Sequence, residues 1–79
     1  MVKHTLKTWP EYFQAVARGE KTFEIRKNDR SFKVGDELEL VEYDPREGAG
    51  FTGRAIDCKV TYITDFEQKP GMVVMGIRH

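Results

Sequence analysis

Three residues in the run Lys21-Thr22-Phe23-Glu24-Ile25-Arg26 have types and spacing that could do chemistry. On an extended strand, residues two apart share a face, so the Glu24 carboxylate and the Arg26 guanidinium can pair or can both meet one ligand. Lys21 opens the strand just after Gly19-Glu20, where the pleat does not yet fix its direction. Lys21, Arg26, Lys27, Arg30 and Lys33 fall in a stretch holding only two acids, Glu24 and Asp29. In a binding site, Lys7, Lys21 and Arg26 would hold phosphate or a base edge. Glu24 would accept from an exocyclic amine or orient Arg26, and Lys27, Asn28 and Arg30 would extend the contact surface. In an enzyme, Lys21 would act as base or nucleophile and Glu24 as acid or base. A lysine base must give up its proton near neutral pH, which Arg26 beside it favours and Glu24 opposes. A solvated strand face would carry the same charges with no ligand at all, each pair contributing ~0–1 kcal/mol.

Other chemistries are poorly served. The two histidines, His4 and His79, lie at opposite ends of the sequence and Cys58 stands alone, so no metal-ligand spacing exists. There is no GxxxxGK[ST], no GxGxxG after a strand and no GxSxG. No metal or cofactor is expected.

Length and charge narrow the field further. A chain of 79 residues buries only roughly 60% of its unfolded surface, which leaves no room for a large internal cavity. With 13 basic and 13 acidic residues the formal net charge is zero. No global field draws the chain to nucleic acid or an anionic membrane, so an anionic ligand must be held by a local cluster. Cys58 in the alternating run Ile56-Cys58-Val60-Tyr62 reads as a small buried apolar residue rather than a reactive thiol. No stretch resembles a signal peptide or the ~20 apolar residues of a membrane span, so a soluble cytoplasmic protein with no membrane partner is expected.

The elements that must position the charged strand can be read from periodicity. Pro10 to Arg18 is predicted to be a helix, with Thr8 and Glu11 as a capping box and Pro10 in the first turn. Trp9, Tyr12, Phe13, Val16 and Ala17 form its apolar face, and Gly19 ends it. Trp9 at this end is either core or a platform for stacking a base. His4 and Lys7 flank the helix start, whose free N–H groups favour an anion. His4 to Lys7 is extended, and if it pairs beside Lys21 to Arg26, then Lys7, the helix start, Lys21 and Arg26 converge. In Lys21 to Arg26, Phe23 and Ile25 are expected to face the core, with Thr22, Glu24 and Arg26 opposite.

Val34-Gly35-Asp36 turns into a strand from Glu37 to Tyr43, with Leu38 and Leu40 inward. Asp44 to Gly50 is a loop by composition. The longest strand runs from Arg54 to Thr64, with Ile56, Cys58, Val60 and Tyr62 inward. Lys69-Pro70-Gly71 then breaks the chain before a central strand from Met72 to Ile77. One early helix and five or six strands cannot make a doubly wound parallel sheet. The expectation is a single α+β domain over 1–79, a small, mostly antiparallel β-barrel with the helix packed at its side.

The run Gly19-Glu20-Lys21-Thr22-Phe23-Glu24-Ile25-Arg26 matches the G-x-K-x-x-E-x-R signature of the ASCH domain, a branch of the PUA-like superfamily. With His4 to Phe13, Lys21 to Arg30 and Phe32-Lys33-Val34-Gly35-Asp36, the chain resembles a short ASCH-like subfamily of bacteria and phages with no assigned function. The resemblance implies a PUA-like barrel, a cleft between helix and barrel floored by the signature strand, and binding of RNA or a nucleotide-like ligand. Duplex DNA is disfavoured, since no recognition helix with a basic face is present. Some ASCH relatives are amidohydrolases acting on acylated cytidine, in which the lysine matched by Lys21 works with a threonine and a later glutamate. Glu24 occupies the threonine's place, and only Asp65 and Glu67 could stand in for the glutamate. A protein-interaction domain, with Tyr43 and Phe51 as partner surface, is the remaining alternative.

Overall fold

Alternating exposed and buried residues make Lys3–Thr8 the first strand, β1, with His4, Leu6 and Thr8 turned inward. The computed structural model describes residues 2–48 and 50–79, without the side chain of Glu47. Ala49, in the expected loop, lies outside the described residues.

Helix α1 spans Pro10–Ala17. Its start differs from expectation: Trp9, with φ −62° and ψ 151°, is the N-cap, and no side chain caps the helix. Thr8 is unavailable because it still belongs to the β1 ladder, paired with Glu42 of the next long strand. Its hydroxyl meets Leu6 O and Arg26 instead, and Glu11 reaches Arg46. Pro10 sits in the first turn as expected. Gly19 ends the helix at φ 77°, a left-handed value a Cβ would penalise. The apolar face divides: Phe13 and Val16 are buried, whereas Trp9 and Tyr12 stand 43% and 55% exposed.

The strands that follow are β2 (Phe23–Lys27), β3 (Glu37–Asp44), β4 (Gly50–Thr64) and β5 (Met72–Arg78). They form one five-stranded sheet in the order β1-β3-β4-β5-β2. β1 and β3 are parallel, with α1 and β2 in the crossover between them, and the other pairings are antiparallel. The fold is α+β, one helix on a mixed sheet curled into a half-barrel. β1 and β2 do not pair; they are the two edges of the sheet. The curl nevertheless brings them together. Arg26 and Arg30 on the β2 side donate to the free β1 carbonyls Lys7 O and Thr5 O at 2.8 and 2.7 Å. Side chains thus bridge a seam where a closed barrel would have a backbone ladder.

Leu38 and Leu40 of β3 are fully buried with Val16, Val60 and Met75. Each such side chain stabilises the fold by roughly 1.5–3 kcal/mol. Cys58 is 4% exposed within this core, and burial pushes its thiol up to about 11.

Two departures from simple alternation matter. In β4 the register shifts between Val60 and Tyr62, so Ile63 rather than Tyr62 packs against the core and Tyr62 is exposed. In β2 the expected faces are exchanged. Phe23 and Ile25 are 41% and 49% exposed, while Glu24 is 3% exposed. Cross-strand pairing explains the reversal, because directly opposed residues share a face. Glu24 lies opposite Met75 and Arg26 opposite Val73, both on the buried side of β5.

Candidate functional site

The inward turn of Glu24 creates a buried carboxylate that must be neutralised, and its strand neighbours do so. Lys21 Nζ donates to Glu24 Oε1 at 2.5 Å and to Phe23 O at 2.7 Å. Arg26 Nε donates to Glu24 Oε2 at 3.0 Å. The Nη2 group of the same arginine crosses the seam to Lys7 O and to Thr8 Oγ1. Lys21 and Arg26 side chains keep 17% and 26% of their surface. The unit is thus a sealed acid beneath two partly open cations.

Above it lies a cleft of about 500 Å³, lined by Lys7, Thr8, Trp9, Tyr12, Lys21, Phe23, Glu24, Ile25 and Arg26. The volume falls within the range of small-molecule sites. The end of β1 and the start of α1 supply one wall, and β2 supplies floor and opposite wall. Lys21 Nζ sits 5.0 Å from the Phe23 ring centre and 5.9 Å from that of Tyr12. Lys7 Nζ lies over Tyr43 and Phe51 at 4.6 and 5.6 Å, and those two rings meet edge to face. At the rim, Arg46 stacks 5.0 Å from Trp9 while its guanidinium pairs with Glu11 and Asp44. These bonds hold the Glu11 and Asp44 carboxyls below their ordinary values.

Five of the residues expected at the site, Lys7, Trp9, Lys21, Glu24 and Arg26, line this cleft. The remaining four do not. His4 is buried, hydrogen-bonded to Asp36 at 2.9 Å and packed edge-on against Phe32. That bond holds the Asp36 carboxyl below its ordinary value. Asn28 Oδ1 accepts from the Phe32 amide and so shapes its own loop. Lys27 and Arg30 line a second hollow of about 150 Å³ along the seam, with Leu6, Arg26, Asp29 and Phe32. Asp65 and Glu67 lie in the β4–β5 connection, outside the cleft. No group of three or more His, Cys, Asp or Glu side chains among the described residues could hold a metal ion. No helix among them is long and apolar enough to cross a membrane.

Sequence reasoning missed two features. Periodicity assigns Tyr12, Phe23 and Ile25 to apolar faces that meet the core, and the structure has them line the cleft. Glu42, 2% exposed, is a second buried acid held by Thr52 at 2.6 Å and by Arg54 at 2.8 and 2.9 Å. Arg54's hydrogen bonds keep the Glu42 carboxyl below its ordinary value against the opposing push of burial. A local irregularity in β4, with Gly53 at φ 89°, brings Thr52 and Arg54 to the same acid. The signal was present: Glu42 continues the inward series Leu38-Leu40.

Residues 3–77 match the model of a family described as a domain of unknown function, DUF3850. The chain belongs to this family. Over 62 residues, 78% of its length, this DUF3850 chain is 40% identical to the "Uncharacterized 12.9 kDa protein in GpA 3'region" of Escherichia phage P2. The match takes in 54% of the phage protein, so the chain spans about half the length of that relative.

Proposed function

We propose that the cleft binds RNA or a nucleotide-like ligand, and that the half-barrel belongs with the ASCH domains of the PUA-like superfamily. The observation that carries this reading is the meeting of Trp9, Tyr12 and Phe23 with Lys7, Lys21 and Arg26 around one opening. Exposed aromatic faces stack bases whatever their identity, and cations beside them hold phosphate. Two aromatic residues left 43% and 55% exposed on a helix that has a core to bury them in also favour a ligand surface. On this reading the protein works in the cytoplasm, where such ligands are found.

Trp9 is the only tryptophan, so its fluorescence reports directly on the site. Titration with single-stranded RNA at low salt is expected to quench it. Binding should weaken as salt rises, because cations that meet phosphate release its counterions. Trp9→Ala, followed by calorimetry, should weaken binding on the order of tenfold, as loss of one stacked base costs about 1–3 kcal/mol. No binding to any RNA or nucleotide at low salt defeats the proposal.

The amidohydrolase alternative uses the same cleft with less support. Lys21 commits two donors to Glu24 and Phe23 O, and the aliphatic hydroxyl lining the cleft, that of Thr8, is engaged by Arg26. Release of an acyl group from acylated nucleosides by the wild type, abolished in Lys21→Ala, would revive it.

A further inference from the structure

The Glu24 carboxylate, Phe23 O, Lys7 O and Thr8 Oγ1 at the cleft floor are taken by the site's own cations. Lys21 occupies Glu24 Oε1 and Phe23 O. Arg26 occupies Glu24 Oε2, Lys7 O and Thr8 Oγ1. Glu24, at 3% exposure, has no open side from which to accept a second donor. Its role is to orient the cations, and it cannot also read an exocyclic amine.

Donors are what remain. Arg26 uses Nε and Nη2, leaving Nη1 without a partner among the described residues. Lys21 keeps one of its three N–H groups. Lys7, exposed at the rim, holds its Nζ over the faces of Tyr43 and Phe51 and has no carboxylate partner among the described residues. With the rim acids Glu11 and Asp44 held by Arg46, three cations stand against one carboxylate among the residues lining the cleft, an excess of two positive charges there. A neutral nucleoside would not answer them, and an internal phosphodiester would answer one. A terminal phosphomonoester carries about −1.5 to −2 at neutral pH and offers three acceptor oxygens. A cleft of about 500 Å³ also suits one nucleotide better than a run of them.

We infer that the cleft takes a single nucleotide by its terminal phosphate, free or at the end of a strand, with Lys7, Lys21 and Arg26 as the phosphate clamp. The inference rests on the nucleotide-binding reading and narrows it to one ligand class.

The test compares three probes on the intact chain at low salt, read by Trp9 fluorescence and calorimetry. They are uridine, uridine 5′-monophosphate, and the dinucleotide UpU, which has a diester but no terminal phosphate. The monophosphate is expected to bind at least tenfold tighter than either of the others. Its advantage should shrink below about pH 6, where the phosphate takes up a proton. Lys7→Gln removes one cation of the clamp and should cut the advantage to threefold or less, with circular dichroism verifying that the variant is folded. Uridine or UpU binding within threefold of the monophosphate overturns the inference but leaves the nucleotide-binding reading standing. Full discrimination in a folded Lys7→Gln protein overturns the charge argument. If none of the three probes and no RNA binds, the nucleotide-binding reading itself fails.

Discussion

Replacing Glu24 by glutamine tests whether the buried carboxylate is the keystone of the cleft. Glutamine keeps the volume and one acceptor, but its NH2 group must face either Lys21 Nζ or Arg26 Nε, setting donor against donor. Two charge-assisted hydrogen bonds are affected, each worth about 1.5–3 kcal/mol. The full sum is not lost, because Lys21 and Arg26 keep 17% and 26% of their surface and can turn toward water. A net destabilisation of about 2–3 kcal/mol is the expected outcome, below the 3–5 kcal/mol for breaking a wholly buried pair. In a domain of this size that lowers the melting temperature by roughly 10–20 °C, measurable by circular dichroism. A double-mutant cycle with Arg26→Gln should return a coupling energy above about 1 kcal/mol. A drop of less than about 3 °C, or a coupling near zero, would show that the pair is surface decoration and that the cleft floor is held by something else.

Arg26→Lys keeps a cation near Glu24 but loses the Nη2 bridge to Lys7 O and Thr8. Denaturant unfolding should show a loss of about 1–2 kcal/mol. Arg30→Lys, which removes the more exposed bridge to Thr5 O, should cost less, about 0.5 kcal/mol. Equal and negligible losses would mean the seam contributes nothing. In acid, Asp36 and Glu42 bind protons less readily when folded than at their ordinary values of 3.8 and 4.5. Their stabilisation is therefore complete above those values and drains as pH falls through the lower, folded ones. Melting temperature should hold from neutral pH to about 5 and decline below about 4, and Glu42→Gln should flatten the decline. A melting temperature unchanged down to about pH 2.5 would refute the linkage. Native Cys58, buried with its thiol pushed up to about 11, should resist a thiol reagent at mild pH and react once the protein is unfolded. Rapid labelling of the folded protein would place it outside the core.

Much of the scaffold is legible from periodicity. The helix with Pro10 at its start and Gly19 at its end, the inward Leu38 and Leu40, and the buried Cys58 and Val60 all follow from local pattern and side-chain transfer energies. What periodicity could not supply is which side of β2 meets the core. Phe23 and Ile25 outvote Glu24 and Arg26 on hydropathy alone, yet pairing with β5 sets Glu24 against the buried Met75. That decision is made by a strand some fifty positions later in the chain, and no local rule contains it. The Thr61 irregularity that turns Tyr62 outward is a ladder property of the same kind. His4 misled in the opposite sense, since a histidine near a helix start reads as a ligand until its partner Asp36, 32 residues away, is known.

The geometry also gives each fixed position of the G-x-K-x-x-E-x-R run a physical task. Gly19 turns the chain out of α1 at a positive φ. Lys21 and Arg26 neutralise Glu24 from its two oxygens, and Arg26 carries the connection across to β1. The same bonds that close the seam also occupy the Glu24 carboxylate, Lys7 O and Thr8 Oγ1 and leave donors of Lys21 and Arg26 at the cleft. Closing the half-barrel and lining the cleft floor with cations are therefore one arrangement of side chains. A substitution that disturbs the cleft through Glu24 or Arg26 must loosen the fold as well, whereas Lys7 and Trp9, exposed at the rim, are the positions at which the proposed binding can be tested apart from stability.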